Sequence, residues 1–282
     1  MLQKMKNLAL IAILIALMVI LAGCGAANNN TNTTASNPSA SPAQTDWQTA
    51  ETVVLTISAA ASLTDALEEI KALYESNNNS IKLSFNFGAS GALQQQIEQG
   101  APADLFISAA SKNMKALVDK QLIDNGQQNN LLQNELVVVV PVDSSIAIAS
   151  MEDLAKKEVK HLAIGIPESV PAGNYAKEAL TNTKLWDALQ AKAVQAKDVR
   201  QVLQYSETGN ADAGFVYKTD AMTSDKVKIA FTVDPAFYSA IEYPVGIVKA
   251  TEHGAEAEQL YTFLQSQEAL DIFVKYGFSV PS

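Results

Sequence analysis

The sequence contains very little cysteine and histidine, and this limits the chemistry that it can support. Cys24 is the only cysteine among 282 residues, and the two histidines are His161 and His253. A single cysteine forms no internal disulfide, and a zinc or copper site built from cysteine and histidine lacks ligands. The folded part must therefore be stabilised by its core, and a hydrophobic content of 48% is sufficient for that.

Basic residues are also scarce. The chain has 20 lysines and arginines against 30 aspartates and glutamates, which gives a formal net charge of −10. An excess of negative charge argues against nucleic acid as a partner. It also gives an anionic ligand no long-range attraction, so an anion site in this protein must rely on short-range hydrogen-bond donors.

Residues 1–23 have the pattern of a secretory signal. Lys4 and Lys6 precede an apolar run over residues 8–21, which is shorter than the roughly 20 residues of a membrane-spanning helix. The run ends in Leu21-Ala22-Gly23-Cys24, which resembles a bacterial lipobox. This resemblance implies cleavage before Cys24 and a lipid on its thiol. The alternative is an ordinary signal peptide followed by an incidental cysteine.

Residues 24–50 are predicted to be a lipidated cysteine followed by a disordered tether. The segment consists mainly of Asn, Thr, Ser, Ala and Pro, with almost no large apolar side chains. We therefore expect an exported protein that is anchored to the cell membrane by lipid at Cys24, on the periplasmic or outer-surface side.

From about residue 51 the sequence alternates short apolar runs with amphipathic segments. This rhythm predicts an α/β fold in which mainly parallel sheets are flanked by helices. Apolar strands at 135–141 and 243–248 are predicted to carry the chain between two domains, with a ligand in the cleft between them. The predicted boundaries are 51–136 plus 246–282 for domain I and 137–245 for domain II, which is inserted between the two hinge strands.

Four segments end a strand-like run in small residues and then begin a helix. They are 58–66, 86–93, 165–176 and 194–203. A helix start leaves backbone amides without partners and therefore attracts anions. One such turn is ordinary architecture, in which a serine is only a cap, whereas four that converge would surround an anion with donors.

These segments and one strand end offer five candidate donors to an anion. The candidates are the hydroxyls of Ser62 and Ser90, the amides of Ala172 and Val199, and the phenol of Tyr217. Asp198 is predicted to cap the helix that begins at Val199. Two alternatives stay open: Ser62 as a pure N-cap, three residues before Asp65, and Tyr217 as a half-buried core residue.

Asp104 and Asp220 lie near these loops in sequence. A free carboxylate would repel an anion. We therefore expect both side chains to be structural and to accept hydrogen bonds from loop amides.

A catalytic serine is the alternative from a different class of function. The segment Gly88-Ala89-Ser90-Gly91-Ala92 lacks the last glycine of the G-x-S-x-G nucleophile elbow, and neither histidine has local support for a catalytic triad. No enzyme activity, catalytic residue, cofactor or bare metal cation is therefore expected, and a serine hydrolase is the less favoured alternative.

Five stretches, in order and sensibly spaced, resemble those of the bacterial molybdate-binding proteins of ABC importers, which have the type II periplasmic-binding fold. The similarity runs from about Val54 to the C-terminus. The five stretches are Ala59–Leu63, Gly100–Ala109, Val170–Ala176, Asp198–Leu203 and Ala211–Ala221.

The resemblance implies a site in which an oxyanion is held by the hydroxyls and amides of the two serines, the two other amides and the phenol named above. Members of the family often have a second serine where this chain has Gly91, whose amide would remain as a donor. The implied ligand is molybdate or tungstate, and the implied partner is a membrane permease driven by an ATPase. We expect a monomer.

A site that contains only donors suits a dianion that carries no proton, because such a ligand needs no acceptor, whereas hydrogen phosphate does. Sulfate obeys the same rule and stays the alternative ligand. A solute receptor that signals through a membrane partner is a further alternative to transport.

Overall fold

The computed structural model describes residues 52–281. The predicted signal, the lipidated cysteine and the tether lie outside these residues. Within the described part of the chain, no helix is both long enough and apolar enough to cross a membrane.

The described residues form ten strands and nine α-helices, in the alternating order that the sequence predicts. The strands are β1 (Val53–Ala60), β2 (Ile81–Gly88), β3 (Leu105–Ile107), β4 (Ile123–Asn134), β5 (Leu136–Pro141), β6 (Leu162–Gly165), β7 (Ala193–Ala196), β8 (Ala213–Tyr217), β9 (Val227–Thr232) and β10 (Ile241–Val248). The helices are α1 (Thr64–Asn77), α2 (Ser90–Glu98), α3 (Ser111–Asp119), α4 (Pro171–Asn182), α5 (Trp186–Leu189), α6 (Val199–Glu207), α7 (Lys218–Met222), α8 (Gly254–Leu264) and α9 (Gln267–Lys275).

The strands form two five-stranded sheets. The first has the order β2-β1-β3-β10-β4, and the second has the order β7-β6-β8-β5-β9. In each sheet four strands run in one direction, and one strand, β10 or β5, is antiparallel to both of its neighbours. The prediction of an α/β fold with two mainly parallel sheets flanked by helices is confirmed.

The chain passes between the sheets twice. β4 ends at Asn134 in the first sheet and β5 begins at Leu136 in the second, and the return takes place between Thr232 and Ile241. We call the parts built on the two sheets the first lobe and the second lobe. The second predicted domain boundary, at residues 245 and 246, falls within β10, which pairs with β4 from Ile241 onward.

The two strands that adjoin the first crossing differ in burial because they occupy different places in their sheets. β5 lies between two neighbours, and its residues Leu136 to Val140 are at most 2% exposed. β4 is an edge strand rich in Asn and Gln, and much of it is exposed. An apolar central strand and a polar edge strand therefore meet at the crossing.

Candidate functional site

The four predicted helix starts meet at one cavity between the lobes. β1 leads through a 3₁₀ turn at Ala61–Leu63 into α1, and the starts of α2, α4 and α6 follow β2, β6 and β7. The cavity is small and has room for about one water molecule. Its lining residues are Ala60, Ala61, Ser62, Gly88, Ala89, Ser90, Ala109, Val170, Pro171, Ala172, Val199 and Tyr217.

All five predicted donor residues line this cavity, and all five are buried. Their exposed fractions are 3% for Ser62, 0% for Ser90, 0% for Ala172, 4% for Val199 and 1% for Tyr217. Among the described residues that line the cavity, none has a charged or imidazole side chain. A ligand held here would therefore contact neutral groups contributed by both lobes.

Ser62 lies in the 3₁₀ turn, and its hydroxyl contacts another side chain. Its Oγ atom lies 2.9 Å from the phenol oxygen of Tyr243. The N-cap of α1 is Leu63, without a side-chain hydrogen bond, so the alternative of Ser62 as a pure N-cap is wrong. Asp65, which the capping-box spacing had paired with Ser62, forms an ion pair with Arg200 of the second lobe.

Ser90 is the first residue of α2, and the N-cap position is occupied by Ala89. The Ser90 Oγ atom accepts a hydrogen bond of 2.9 Å from the backbone amide of Ala109. A hydroxyl that accepts from an amide still has its own proton to donate. Ser90 is therefore able to donate to a ligand, and its role is not that of a cap.

The amides of Ala172 and Val199 lie in the first turns of α4 and α6, where backbone donors have no partner within the helix. In α4 the preceding residue, Pro171, has no amide proton, so the free donors begin at Ala172. In α6 the Asp198 side chain accepts from the amide of Gln201 at 2.8 Å, which confirms Asp198 as the N-cap. Val199 is therefore among the first-turn donors that the cap leaves free.

Close packing fixes the start of α4 at the cavity. A Cβ atom on Gly173 would lie 2.0 Å from the carbonyl oxygen of Gly165, at the end of β6. Only glycine permits the helix to approach the strand so closely. This contact places the amide of Ala172 against the cavity.

The phenol of Tyr217 is fully buried, and its oxygen has no hydrogen-bond partner among the described residues. Burial raises the pKa of this phenol well above its ordinary value, so the group keeps its proton. A buried hydroxyl without a partner costs free energy, which a ligand could recover by accepting its proton.

Gly91 contributes to the contact between the lobes. Its amide donates to the carbonyl oxygen of Ser169 in the second lobe at 3.0 Å, so the expectation that this amide is free for the ligand is wrong. A Cβ atom on Gly91 would lie 2.7 Å from the same oxygen. A serine at this position would therefore clash with the second lobe as it is placed here.

The two carboxylates near the site bind backbone amides, as predicted. Asp104 accepts from the amide of Thr56 at 2.7 Å, and Asp220 accepts from the amide of Tyr217 at 3.3 Å. Asp220 is completely buried, and the Nε atom of Arg200 lies 2.8 Å from its Oδ1 atom. Burial raises the pKa of Asp220 to about 6, although the charge of Arg200 acts in the opposite direction.

The sequence did not indicate that Tyr243 and Asn134 belong near the site. Tyr243 contacts Ser62, Asn134 contacts Tyr243, and neither residue lines the cavity. The Asn134 Nδ2 atom is 3.3 Å from the Tyr243 phenol oxygen. Asn134 ends β4 and Tyr243 belongs to β10, so both residues lie on the strands that border the crossings. No local motif marks them, and only the pairing of β4 with β10 brings them together.

Two α/β lobes that enclose a small cavity lined by neutral donors define a ligand-binding protein of the type II periplasmic-binding class. Residues 55–279 match the model of the family described as bacterial extracellular solute-binding protein. The chain belongs to this family, and the resemblance derived from its sequence motifs is confirmed.

Several known proteins are similar to this chain. The Bacillus subtilis protein named "Putative ABC transporter substrate-binding lipoprotein YvgL" is 51% identical over 236 residues, which cover 84% of this chain and 90% of that protein. The molybdate-binding protein ModA of Escherichia coli is 40% identical, with coverage of 80% and 89%. The solved structure of the Azotobacter vinelandii periplasmic molybdate-binding protein is 25% identical, with a TM-score of 0.74 and coverage of 81% and 100%.

Proposed function

We propose that this protein captures molybdate, and also tungstate, outside the cytoplasm and delivers it to an ABC permease. The proposed ligand-binding groups are the hydroxyls and amides of Ser62 and Ser90, the amides of Ala172 and Val199, and the phenol of Tyr217. The proposal includes no catalytic residue and no cofactor.

The observation that carries this proposal is the neutral cavity, to which both lobes contribute donors. Two hydroxyls, two helix starts and a phenol that has no partner among the described residues surround it, and no charged side chain is among its described lining residues. An oxyanion that carries no proton can satisfy all of these donors at once. Molybdate and tungstate are such oxyanions.

The relatives support the choice of ligand and partner. Two of them are named as molybdate-binding proteins, and a third is named as a substrate-binding lipoprotein of an ABC transporter. On that basis we also propose that lipid on Cys24 anchors the protein to the outer side of the cell membrane. We propose further that it acts as a monomer and that its two lobes are the two predicted domains.

Sulfate is the second candidate ligand, because it is also a tetrahedral oxyanion that needs only donors. A serine hydrolase gains no support from the site. Ser90 interacts with a backbone amide, and none of the described residues that line the cavity is a histidine.

Isothermal titration calorimetry on the full-length protein in detergent would test the proposal, with molybdate, tungstate, sulfate and phosphate in separate runs. We expect tight binding of the first two and little heat from the others. Sulfate binding as tight as that of molybdate would contradict the choice of ligand, but it would still agree with an anion site in this cavity. No binding of any of the four anions would contradict the proposal as a whole.

A further inference from the structure

Among the described residues, each serine hydroxyl of the cavity has one polar contact, and that contact limits the directions in which its proton can point. For Ser90 the contact is the backbone amide of Ala109. An amide can only donate, so the Ser90 oxygen accepts from it and the Ser90 proton stays available for a ligand.

For Ser62 the corresponding contact is the Tyr243 phenol, and either oxygen could donate across the 2.9 Å between them. Asn134 resolves this choice. Its Oδ1 atom accepts from the backbone amide of Glu135 at 2.9 Å, which fixes the orientation of the side-chain amide. The Nδ2 atom therefore faces the Tyr243 oxygen at 3.3 Å and the Thr219 hydroxyl at 2.9 Å.

The Tyr243 oxygen thus accepts from Asn134, and its own proton needs an acceptor. Tyr243 is completely buried, and Ser62 Oγ is the acceptor within its reach among the described residues. The opposite direction would leave a buried phenol proton without a partner, which is unfavourable. The hydrogen bonds therefore run from Asn134 to Tyr243 and from Tyr243 to Ser62, and the Ser62 proton points elsewhere.

We propose that Asn134 and Tyr243 are positioning residues that hold the Ser62 hydroxyl as a donor to the ligand and thereby select against oxyanions that carry a proton. Neither residue lines the cavity, so both act through Ser62. The inference rests on the proposed function, because it concerns the selectivity of the same site.

The selectivity follows from the number of acceptors that the cavity offers. When both serine oxygens accept from groups of the protein, an unprotonated dianion receives two hydroxyl protons. Hydrogen phosphate has a proton of its own. A serine oxygen could accept it only through its second lone pair, with the serine's own proton turned away from the ligand and left without an acceptor among the described residues, which is unfavourable. Without the Tyr243 hydroxyl, the Ser62 oxygen no longer receives a hydrogen bond from the protein, so accepting the phosphate proton restores one.

The test is Tyr243→Phe, measured by calorimetric titration of the full-length protein in detergent with molybdate. The affinity for phosphate is measured by its displacement of molybdate at a pH of about 8, where phosphate keeps a single proton. We expect the Kd for molybdate to rise about tenfold and that for hydrogen phosphate to fall. Tyr74→Phe removes another buried phenol that has no partner among the described residues and lies outside the cavity lining, so it should change neither value.

Asn134→Leu independently tests the two hydrogen bonds that run from Asn134 to Tyr243 and from Tyr243 to Ser62. Because Asn134 acts through Tyr243, this change should weaken molybdate binding in the parent protein but have no further effect in Tyr243→Phe. Thr219→Val is the control for this change, because it removes the other acceptor of the Asn134 amide. It should leave the ratio of the Kd for molybdate to the Kd for hydrogen phosphate unchanged.

The outcomes separate this inference from the proposed function. A parent protein that does not bind molybdate contradicts the proposed function itself. A parent that binds molybdate, together with a Tyr243→Phe variant that weakens both anions equally, contradicts only the selectivity role. Phosphate that still fails to compete with molybdate in this variant at millimolar concentration also contradicts that role, as would additive effects of the Tyr243 and Asn134 changes.

Discussion

At the scale of single residues, Tyr217 provides the most direct test of the site, because its buried phenol has no partner among the described residues. If the phenol donates to the bound anion, Tyr217→Phe removes one charge-assisted hydrogen bond. We expect a loss of about 1.5–3 kcal/mol in binding, which is roughly a tenfold to hundredfold rise in the Kd for molybdate. Calorimetric titration would measure it.

The same substitution should not lower the thermal stability of the ligand-free protein, because it removes a buried hydroxyl that has no partner among the described residues. Tyr74→Phe again serves as the matched control and should leave the affinity unchanged. An unchanged affinity in Tyr217→Phe would mean that the phenol is only part of the core.

Asp220 should make the stability of the protein depend on pH. In the folded protein burial raises its pKa from an ordinary value of 3.8 to about 6. Between these two values the folded state binds more protons than the unfolded state, so the contribution of Asp220 to stability falls as the pH rises. Its contribution is largest below pH 3.8 and is reduced once the pH exceeds about 6.

Asp220→Asn should therefore gain stability relative to the parent protein as the pH increases from about 4 to about 7, because asparagine does not ionise. The measurement is the difference in unfolding temperature between the two proteins across that range. Taking the difference removes the contributions of other titrating groups. A difference that stays constant with pH would show that the pKa of Asp220 is not raised.

The place of the five candidate donor residues in the cavity lining could be predicted from the sequence because each follows a local rule. A serine, an amide or a phenol placed where a strand ends and a helix begins can be recognised in a short segment, and Ser90 and Val199 are examples. Tyr243 could not be recognised in this way, since it lies 181 residues from Ser62 and 109 from Asn134. Side-chain contacts over such separations depend on the pairing of strands.

At the scale of elements, the start of α6 allows a backbone donor to be removed on its own. Val199 is the first residue of this helix, a position where proline is well accommodated. Asp198 before it is extended, with φ −157° and ψ 173°, which suits a residue that precedes proline. Val199→Pro should therefore keep the helix while it removes the amide proton and replaces the valine side chain.

We expect Val199→Pro to weaken molybdate binding by about 1.5–3 kcal/mol, while circular dichroism shows an unchanged helix content. Val199→Ala is the control, because it shortens the side chain and keeps the amide, and its affinity should stay close to that of the parent. Equal losses in the two variants would indicate that the valine side chain matters and that its amide does not.

The elements themselves were predictable where an apolar pattern marks them. β5 is an uninterrupted apolar run and was predicted almost to the residue. β4 was not predicted, because its sequence is rich in Asn and Gln and an edge strand of a sheet needs little apolar surface. β4 is held in the sheet by its backbone pairing with β10, which its own side-chain pattern does not predict.

At the scale of the whole molecule, polar contacts join the lobes through residues that lie near the cavity lining in sequence. Arg200 of the second lobe pairs with Asp65 of the first, and the Lys112 ammonium donates to the Asn174 side chain at 2.8 Å. The amide of Gly91 donates to the second lobe close by. The sequence predicted two domains around a cleft, but none of these contacts, since each joins segments that are distant in the chain.

The Gly91 contact should control whether the lobes can close. Gly91 lies in the first turn of α2, where alanine would favour the helix, so Gly91→Ala should not destabilise the ligand-free first lobe. The added Cβ atom would lie 2.7 Å from the Ser169 carbonyl oxygen, which is too close for the lobes to keep this arrangement. The energetic cost should therefore appear in closure, and so in ligand binding.

We expect Gly91→Ala to weaken molybdate binding by about 1–3 kcal/mol, the range for overpacking a tight contact, which is roughly a fivefold to hundredfold loss of affinity. Small-angle X-ray scattering should show less compaction on addition of molybdate than in the parent. Gly254→Ala, at the first residue of α8, is the control, because no atom lies within 4 Å of an added Cβ there. Parental affinity and compaction in Gly91→Ala would show that the lobes bind the anion without this contact, and the donors of the two lobes would then have to meet in another arrangement.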